Sequence, residues 1–158
     1  MNISLLPNNR EPLPKRLVYA SVKKNFCSED NYAFGKSNFY NMIDLETKEL
    51  VGQMITTNST INNKPSLYID YLKSYSKNAN VGSDFIEFAE NISKNSVNQG
   101  RIHLLATKLR DETCYPHLFY RKKGFKTDSI LKNFIYDVCL LFGKKQCKLF
   151  SGATKMFK

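Results

Sequence analysis

The chain has no tryptophan, only two histidines, and few acidic residues for its basic content. With just His103 and His117 available, and no C-x-x-C spacing among the four cysteines, we expect no metal site and no disulfide framework. The longest apolar run, Phe134 to Phe142, contains Asp137 and is too short to span a bilayer. Met1 to Lys15 holds no apolar segment of signal-peptide length. These absences predict a reduced, cytoplasmic protein with no membrane association.

What is present predicts a globular protein with a substantial core. Of the 158 residues, 42% are hydrophobic and 13% aromatic, so we expect one domain over residues 1–158. The formal charge of +10 favours an anionic partner such as nucleic acid, an acidic surface or a polyphosphate. The basic residues are scattered rather than in one block, so they equally fit a solvated surface.

Apolar patterning predicts an α/β (α+β) fold with a mixed, mostly antiparallel sheet of six or seven strands flanked by helices. The predicted strands are Ile3–Leu6, Phe39–Leu45, Leu50–Thr57, Leu67–Leu72, Ile102–Thr107, one beginning at Phe125, and Ala153–Phe157. The predicted helices are a weak one over 15–27, a clear one over Ser83–Ser96, a short one over His117–Lys123 and one over Ile130–Phe142. Because a helix joins Leu67–Leu72 to Ile102–Thr107, these strands should be parallel neighbours.

A basic, Asn-rich turn links strand Leu67–Leu72 to helix Ser83–Ser96. Backbone N–H groups at a helix start point outward and the dipole adds positive charge, so such a turn suits a pyrophosphate. Gly82 allows close approach, and Asn80 tolerates a positive φ. Lys73 and Lys77 add charge. Many such turns bind nothing specific, and that interpretation stays open.

The order strand, turn, helix, strand and late aromatic motif resembles the GNAT family of acyl-CoA-dependent N-acetyltransferases. The turn Lys77-x-x-Asn80-x-Gly82 stands where the family has R/Q-x-x-G-x-G/A. The segment Phe119-Tyr120-Arg121-Lys122-Lys123-Gly124-Phe125 matches F/L-Y-x-x-x-G-F. The hairpin Phe39 to Thr57 matches the family's second and third strands, so the resemblance covers residues 38–126.

The resemblance implies transfer of an acetyl group from acetyl-CoA to an amine. It implies that Tyr120 is the general acid, and Asp70 is a candidate base acting through water. A backbone N–H near Leu72 or Lys73 would polarise the thioester carbonyl. The implied cofactor-binding residues are Leu72, Lys73, Lys77, Asn78, Ala79, Asn80, Val81, Gly82, Ser83, Thr113 and His117.

Simpler roles remain for these residues. Tyr120 and His117 could pack in the core, and Asp70 could belong to a salt bridge or a sheet edge. A non-catalytic domain of the same fold, binding CoA or a protein, is the first alternative function. A nucleic-acid-binding module ranks lower, because the sequence has no basic recognition helix or RNP-like motif. The acceptor stays open among small amines, peptides, proteins and tRNA-linked substrates, as does a homodimer.

Overall fold

The computed structural model describes residues 3–5, 16–22, 37–76, 80–107, 116–144, 147 and 152–158. These residues form seven strands and three helices. In chain order they are β1 (Ile3–Leu5), β2 (Arg16–Val22), β3 (Ser37–Asp44), β4 (Leu50–Ile61), β5 (Lys64–Ser74), α1 (Val81–Lys94), β6 (Ile102–Ala106), α2 (His117–Lys122), α3 (Ile130–Leu141) and β7 (Thr154–Phe157). Contacts divide the chain into two compact units, Met1–Arg101 and Ile102–Lys158. The expected combination of helices with mostly antiparallel strands is confirmed.

The first unit is built on a five-stranded antiparallel sheet. Strands β1 to β5 pair in chain order, each antiparallel to the next. The described residues form seven strands in all, which agrees with the predicted six or seven, and five of them belong to this unit. Strands β6 and β7 pair in the second unit. The predicted parallel pairing of Leu67–Leu72 with Ile102–Thr107 joins residues of different units and stays a prediction.

The helix predicted over residues 15–27 was wrong. Residues 16–22 form β2, which pairs with β3 from Arg16↔Asp44 to Val22↔Asn38. The segment contains Val18, Tyr19 and Val22, residue types that favour strands. Its apolar spacing was too weak to predict a helix reliably, and a neighbouring strand satisfies its backbone.

The predicted hairpin over Phe39 to Thr57 is confirmed as β3 and β4, with longer strands than expected, and β4 and β5 form a further hairpin. Strands β4 and β5 are joined by Asn62 and Asn63, whose φ angles are 50° and 62°. Two positive φ values in a two-residue loop are the signature of a type I′ turn, whose twist matches that of the strands. Pro65 lies in β5 opposite Thr60.

Helix α1 covers the sheet of the first unit through one apolar face. It begins at Val81 and ends at Lys94, two residues earlier at each end than predicted. Its buried residues are Val81, Phe85, Ile86, Phe88, Ala89 and Ser93. The Phe88 ring meets the Tyr40 ring of β3 edge-on at 5.1 Å. Phe85 and Phe88 thus lie in the core of this unit.

The second unit packs two helices with the β6–β7 pair. The Arg121 guanidinium of α2 donates to both Asp137 oxygens of α3, at 2.7 and 2.6 Å. The strand predicted to begin at Phe125 was wrong: the structure forms only an isolated bridge between Lys126 and Phe157 there. Helix α3 confirms the helical prediction for this segment. No helix in the described parts of the chain is long and apolar enough to cross a membrane.

Candidate functional site

Strand β5 carries a β-bulge at Asp70. Ile55 of β4 pairs with Tyr71, but the next residue, Thr56, pairs with Ile69, so the register skips Asp70. A bulge bends its strand, increases the local twist and re-aims a side chain, and such irregularities are common beside functional sites. Residues 66–69 before the bulge are buried, whereas 70–73 after it are half-buried. The end of β5, with Leu72 and Lys73, is therefore partly accessible.

The Asp70 carboxylate belongs to a chain of hydrogen bonds inside the sheet. The Thr57 hydroxyl donates to Asp70 Oδ2 at 2.6 Å, and Ser37 Oγ lies 2.9 Å from Thr57 Oγ1. Because the single Thr57 proton is directed to the carboxylate, Ser37 must be the donor to Thr57. Both hydroxyl residues are buried. The network fixes the orientation of Asp70, and it gives this residue a structural role whether or not it also acts as a base.

Helix α1 presents its N-terminus immediately after the predicted turn. Asn80 is the N-cap of this helix and makes no side-chain capping hydrogen bond. The first N–H groups of a helix have no acceptor within it, and the helix dipole makes this end positive. Gly82 and Ser83 are half-buried and Asn80 is exposed. Asp84 in the first turn partly offsets the dipole.

Gly52 fixes this helix start against the sheet. A Cβ at Gly52 would lie 2.5 Å from Val81 Cγ1, 2.8 Å from Phe85 Cε2 and 3.0 Å from the Lys73 carbonyl oxygen. Only glycine permits that approach, so the first turn of α1 and the end of β5 meet over β4. Gly52 was not among the predicted site residues, although an isolated glycine in a strand pattern is a known signal of close backbone approach.

Polar contacts hold the segment that leaves β5. The Tyr75 backbone N–H donates to the Val51 carbonyl at 2.9 Å, and the Tyr75 hydroxyl donates to Gln53. The Lys73 ammonium lies 5.9 Å from the centre of the Tyr75 ring, within the range of a cation–π contact. The Lys73 side chain thus lies beside the Tyr75 ring.

The first unit therefore brings together those of its predicted cofactor-binding residues that the structure describes. Strand β5 carries Leu72 and Lys73 near its end. The start of α1 carries the N-cap Asn80 followed by Val81, Gly82 and Ser83. Gly52 of β4 lies against both elements. Lys77, Asn78, Ala79 and Thr113 lie outside the described residues. The remaining two predicted site residues, His117 and Tyr120, belong to the second unit and are described by its contacts.

Tyr120 occupies a defined position in a helix C-cap. The Phe125 N–H donates to the Tyr120 carbonyl at 3.0 Å, and the Gly124 N–H donates to the Arg121 carbonyl at 2.9 Å. Gly124 has a φ of 88°. These are the two hydrogen bonds and the left-handed residue of a Schellman motif, which usually includes an apolar contact like the 5.7 Å approach of the Tyr120 and Phe125 rings. The spacing Y-x-x-x-G-F thus has a structural explanation in this chain.

His117 is fully buried at the start of α2. Its Nε2 lies 3.0 Å from the Gly152 carbonyl oxygen, to which it donates, and its ring lies 5.9 Å from that of Tyr136. Burial lowers the pKa of His117, and the bond to the Gly152 carbonyl acts in the opposite direction. These contacts favour the packing interpretation of His117 over cofactor binding.

The described residues contain no cluster of His, Cys, Asp and Glu that could hold a metal ion. Comparison with models of known families and with curated proteins finds no match to this chain.

Proposed function

We propose that the chain is a GNAT-type acetyltransferase that moves an acetyl group from acetyl-CoA to an amine. The observation that carries the proposal is the close approach of strand β5 and helix α1 in the first unit. The bulged strand β5 carries Leu72 and Lys73 near its end at Ser74, and α1 begins at Val81, which packs over Gly52. This pairing of a partly exposed strand end with a helix N-terminus suits a ligand that has both an amide-containing arm and a pyrophosphate.

The residues of the first unit fit such a ligand. The N–H groups of Val81, Gly82 and Ser83 would bind the pyrophosphate, and Lys73 would add positive charge. The backbone of Leu72 and Lys73 would pair with amides of the pantetheine arm. When bound, acetyl-CoA supplies an acetyl group activated as a thioester. Asp70 is held by Thr57, which would keep a base acting through water in a fixed orientation.

Ligand binding can be tested with a matched pair of lysine variants, one near the end of β5 and one in the last turn of α1. We expect Lys73→Ala to weaken CoA binding about two- to fivefold, the size of one charge near a helix end. Lys94→Ala removes the same charge from the last turn of α1 and should leave affinity unchanged. Calorimetric titration measures the affinity for CoA and, separately, the affinity for pantetheine, which lacks the pyrophosphate. Equal affinities for the two compounds would contradict pyrophosphate binding at α1.

Turnover is tested separately at Tyr120. If its hydroxyl protonates the departing thiolate, Tyr120→Phe should lower the turnover number by about 10²-fold or more while CoA affinity is kept. The assay follows thiol release from acetyl-CoA with a panel of amines, peptides and proteins. Phe119→Leu alters the neighbouring ring and leaves the hydroxyl in place, so it controls for packing. Unchanged turnover in Tyr120→Phe would remove the assigned role.

A second candidate function is a non-catalytic domain that binds CoA or a partner. The observation that favours it is the Schellman geometry of Tyr120, Gly124 and Phe125, which accounts for the late motif without chemistry. This alternative predicts CoA binding at α1 with no thiol release for any acceptor in the panel.

A further inference from the structure

Helix α3 exposes an apolar stripe to solvent. The stripe consists of Ile130, Leu131, Phe134, Val138, Leu141 and the C-cap residue Phe142. All but the half-buried Val138 are between 61% and 86% exposed. At 100° per residue the six positions fall within about 120° of the helix circumference. Such a contiguous apolar surface is rare on a protein that acts alone.

The opposite face of α3 is anchored within the second unit. Tyr136 is fully buried, and its side chain hydrogen-bonds to that of Thr154. On the helical wheel Tyr136 lies directly opposite the centre of the stripe. The Arg121–Asp137 ion pair fixes the helix against α2. The orientation of α3 is thus set by contacts of its own unit, and the stripe is the face that those contacts leave outward.

The stripe is symmetric along the helix about the level of residue 136. Ile130 and Phe142 stand six residues to either side, Leu131 and Leu141 five, and Phe134 and Val138 two. In an antiparallel pair of identical helices, each apolar residue would therefore face an apolar residue. A two-fold axis requires this self-complementarity of a surface patch.

The charges at the two ends of α3 and the exposed apolar area of the stripe both suit pairing with a second copy of this chain. Exposed Asp128 precedes α3 and exposed Lys144 follows it, each eight residues from the same level, so antiparallel helices bring opposite charges together at both ends. The stripe exposes roughly 600–800 Å² of apolar surface per chain, counting about 150–250 Å² for a whole aromatic side chain. A standard stable interface buries about 800 Å² per partner.

We infer that the α3 stripe is the interface of a homodimer in which two α3 helices pack antiparallel about a two-fold axis. The surface is distinct from the residues proposed to bind CoA, so the inference stands independently of the proposed function.

Sedimentation velocity of the full chain over a range of concentrations tests the inference. We expect a concentration-dependent dimer, with Phe134→Glu raising the dissociation constant at least about tenfold. Val97→Glu is the matched control, because Val97 is 70% exposed outside the stripe, and it should dimerise like the parent chain. Since the substituted side chains are exposed, circular dichroism should show unchanged folding.

A charge pair separates antiparallel from parallel packing. Leu131→Glu and Leu141→Lys should each weaken the dimer, and combining them in one chain should restore affinity, because position 131 faces position 141 of the other copy. In a parallel pair the double variant would place like charges opposite each other and remain monomeric. A parent chain that is monomeric up to its solubility limit overturns the inference. So does a monomer that binds vesicles of phosphatidylcholine and phosphatidylserine through Phe134, which would make the stripe a membrane-binding face.

Discussion

The buried imidazole of His103 makes the stability of the second unit depend on pH. His103 lies in β6 and is 4% exposed; burial, with a smaller contribution from Lys155, lowers its pKa from 6.5 to about 4. In the unfolded chain the ordinary value applies. Between about pH 4 and pH 6.5 the unfolded state therefore binds more protons than the folded state. The stabilising contribution of the neutral ring is present above this window and is lost as the pH falls through it.

The size of the effect follows from the two pKa values. From pH 7 to pH 5, the unfolded imidazole becomes almost fully protonated while the folded one stays neutral, which costs about 2 kcal/mol of unfolding free energy. Urea denaturation followed by circular dichroism at the two pH values measures this loss. His103→Asn removes the titrating group, while His117 and all carboxylates remain common to both proteins.

The variant should therefore lose about 2 kcal/mol less than the parent chain on acidification to pH 5. The comparison is between the losses of unfolding free energy from pH 7 to pH 5, so a lower stability of the variant at pH 7 does not affect it. Equal losses in the two proteins would refute a buried, neutral His103. A larger loss in the variant would mean that the ring gains a stabilising partner when protonated.

Two substitutions test the packing and the hydrogen bonds of the first unit. Gly52→Ala should lower the unfolding free energy measured in urea by about 1–3 kcal/mol, because its Cβ collides with the first turn of α1. Gly152→Ala is the control, because a Cβ there meets no described atom within 4 Å. Equal effects of the two substitutions would contradict the close approach at Gly52. Thr57→Val keeps the side-chain shape but removes the hydroxyl that Asp70 accepts from, and should cost about 1–3 kcal/mol. The exposed Thr60→Val serves as its control, and a neutral Thr57→Val would show that the hydrogen-bond chain adds nothing to stability.

The sequence predicted strand β5 and helix α1 of the first unit well, because hydrophobic periodicity is a local signal. The spacing of Phe85, Phe88 and Ala89 located α1 to within two residues at each end. The bulge at Asp70 was not predictable, since it depends on which residue of β4 pairs with Tyr71. The clearance at Gly52 likewise depends on Val81 and Phe85, which are distant in sequence.

Two further segments show where local patterns are ambiguous. Residues 16–22 have apolar residues that fit either a strand or a weak helix, and pairing with β3 decides the outcome. In α3 the period correctly predicted a helix, but a period does not say whether the apolar side is covered, and Phe134 is exposed. The motif at Tyr120 carries a similar ambiguity, because Gly124 and Phe125 satisfy the rules of a helix C-cap as well as those of a catalytic family.

Thermal denaturation of the full chain in increasing acetyl-CoA tests the proposed function most directly. A ligand that binds only the folded state should raise the unfolding free energy by about 2.7 kcal/mol when its concentration is 100 times the dissociation constant. CoA should behave similarly to acetyl-CoA, because the proposed contacts are to its pyrophosphate and pantetheine arm. Charge reversal near the end of β5 by Lys73→Glu should reduce the shift, whereas Lys94→Glu in the last turn of α1 should not. A melting temperature that does not change at millimolar acetyl-CoA would contradict the proposal that this chain binds the acetyl donor.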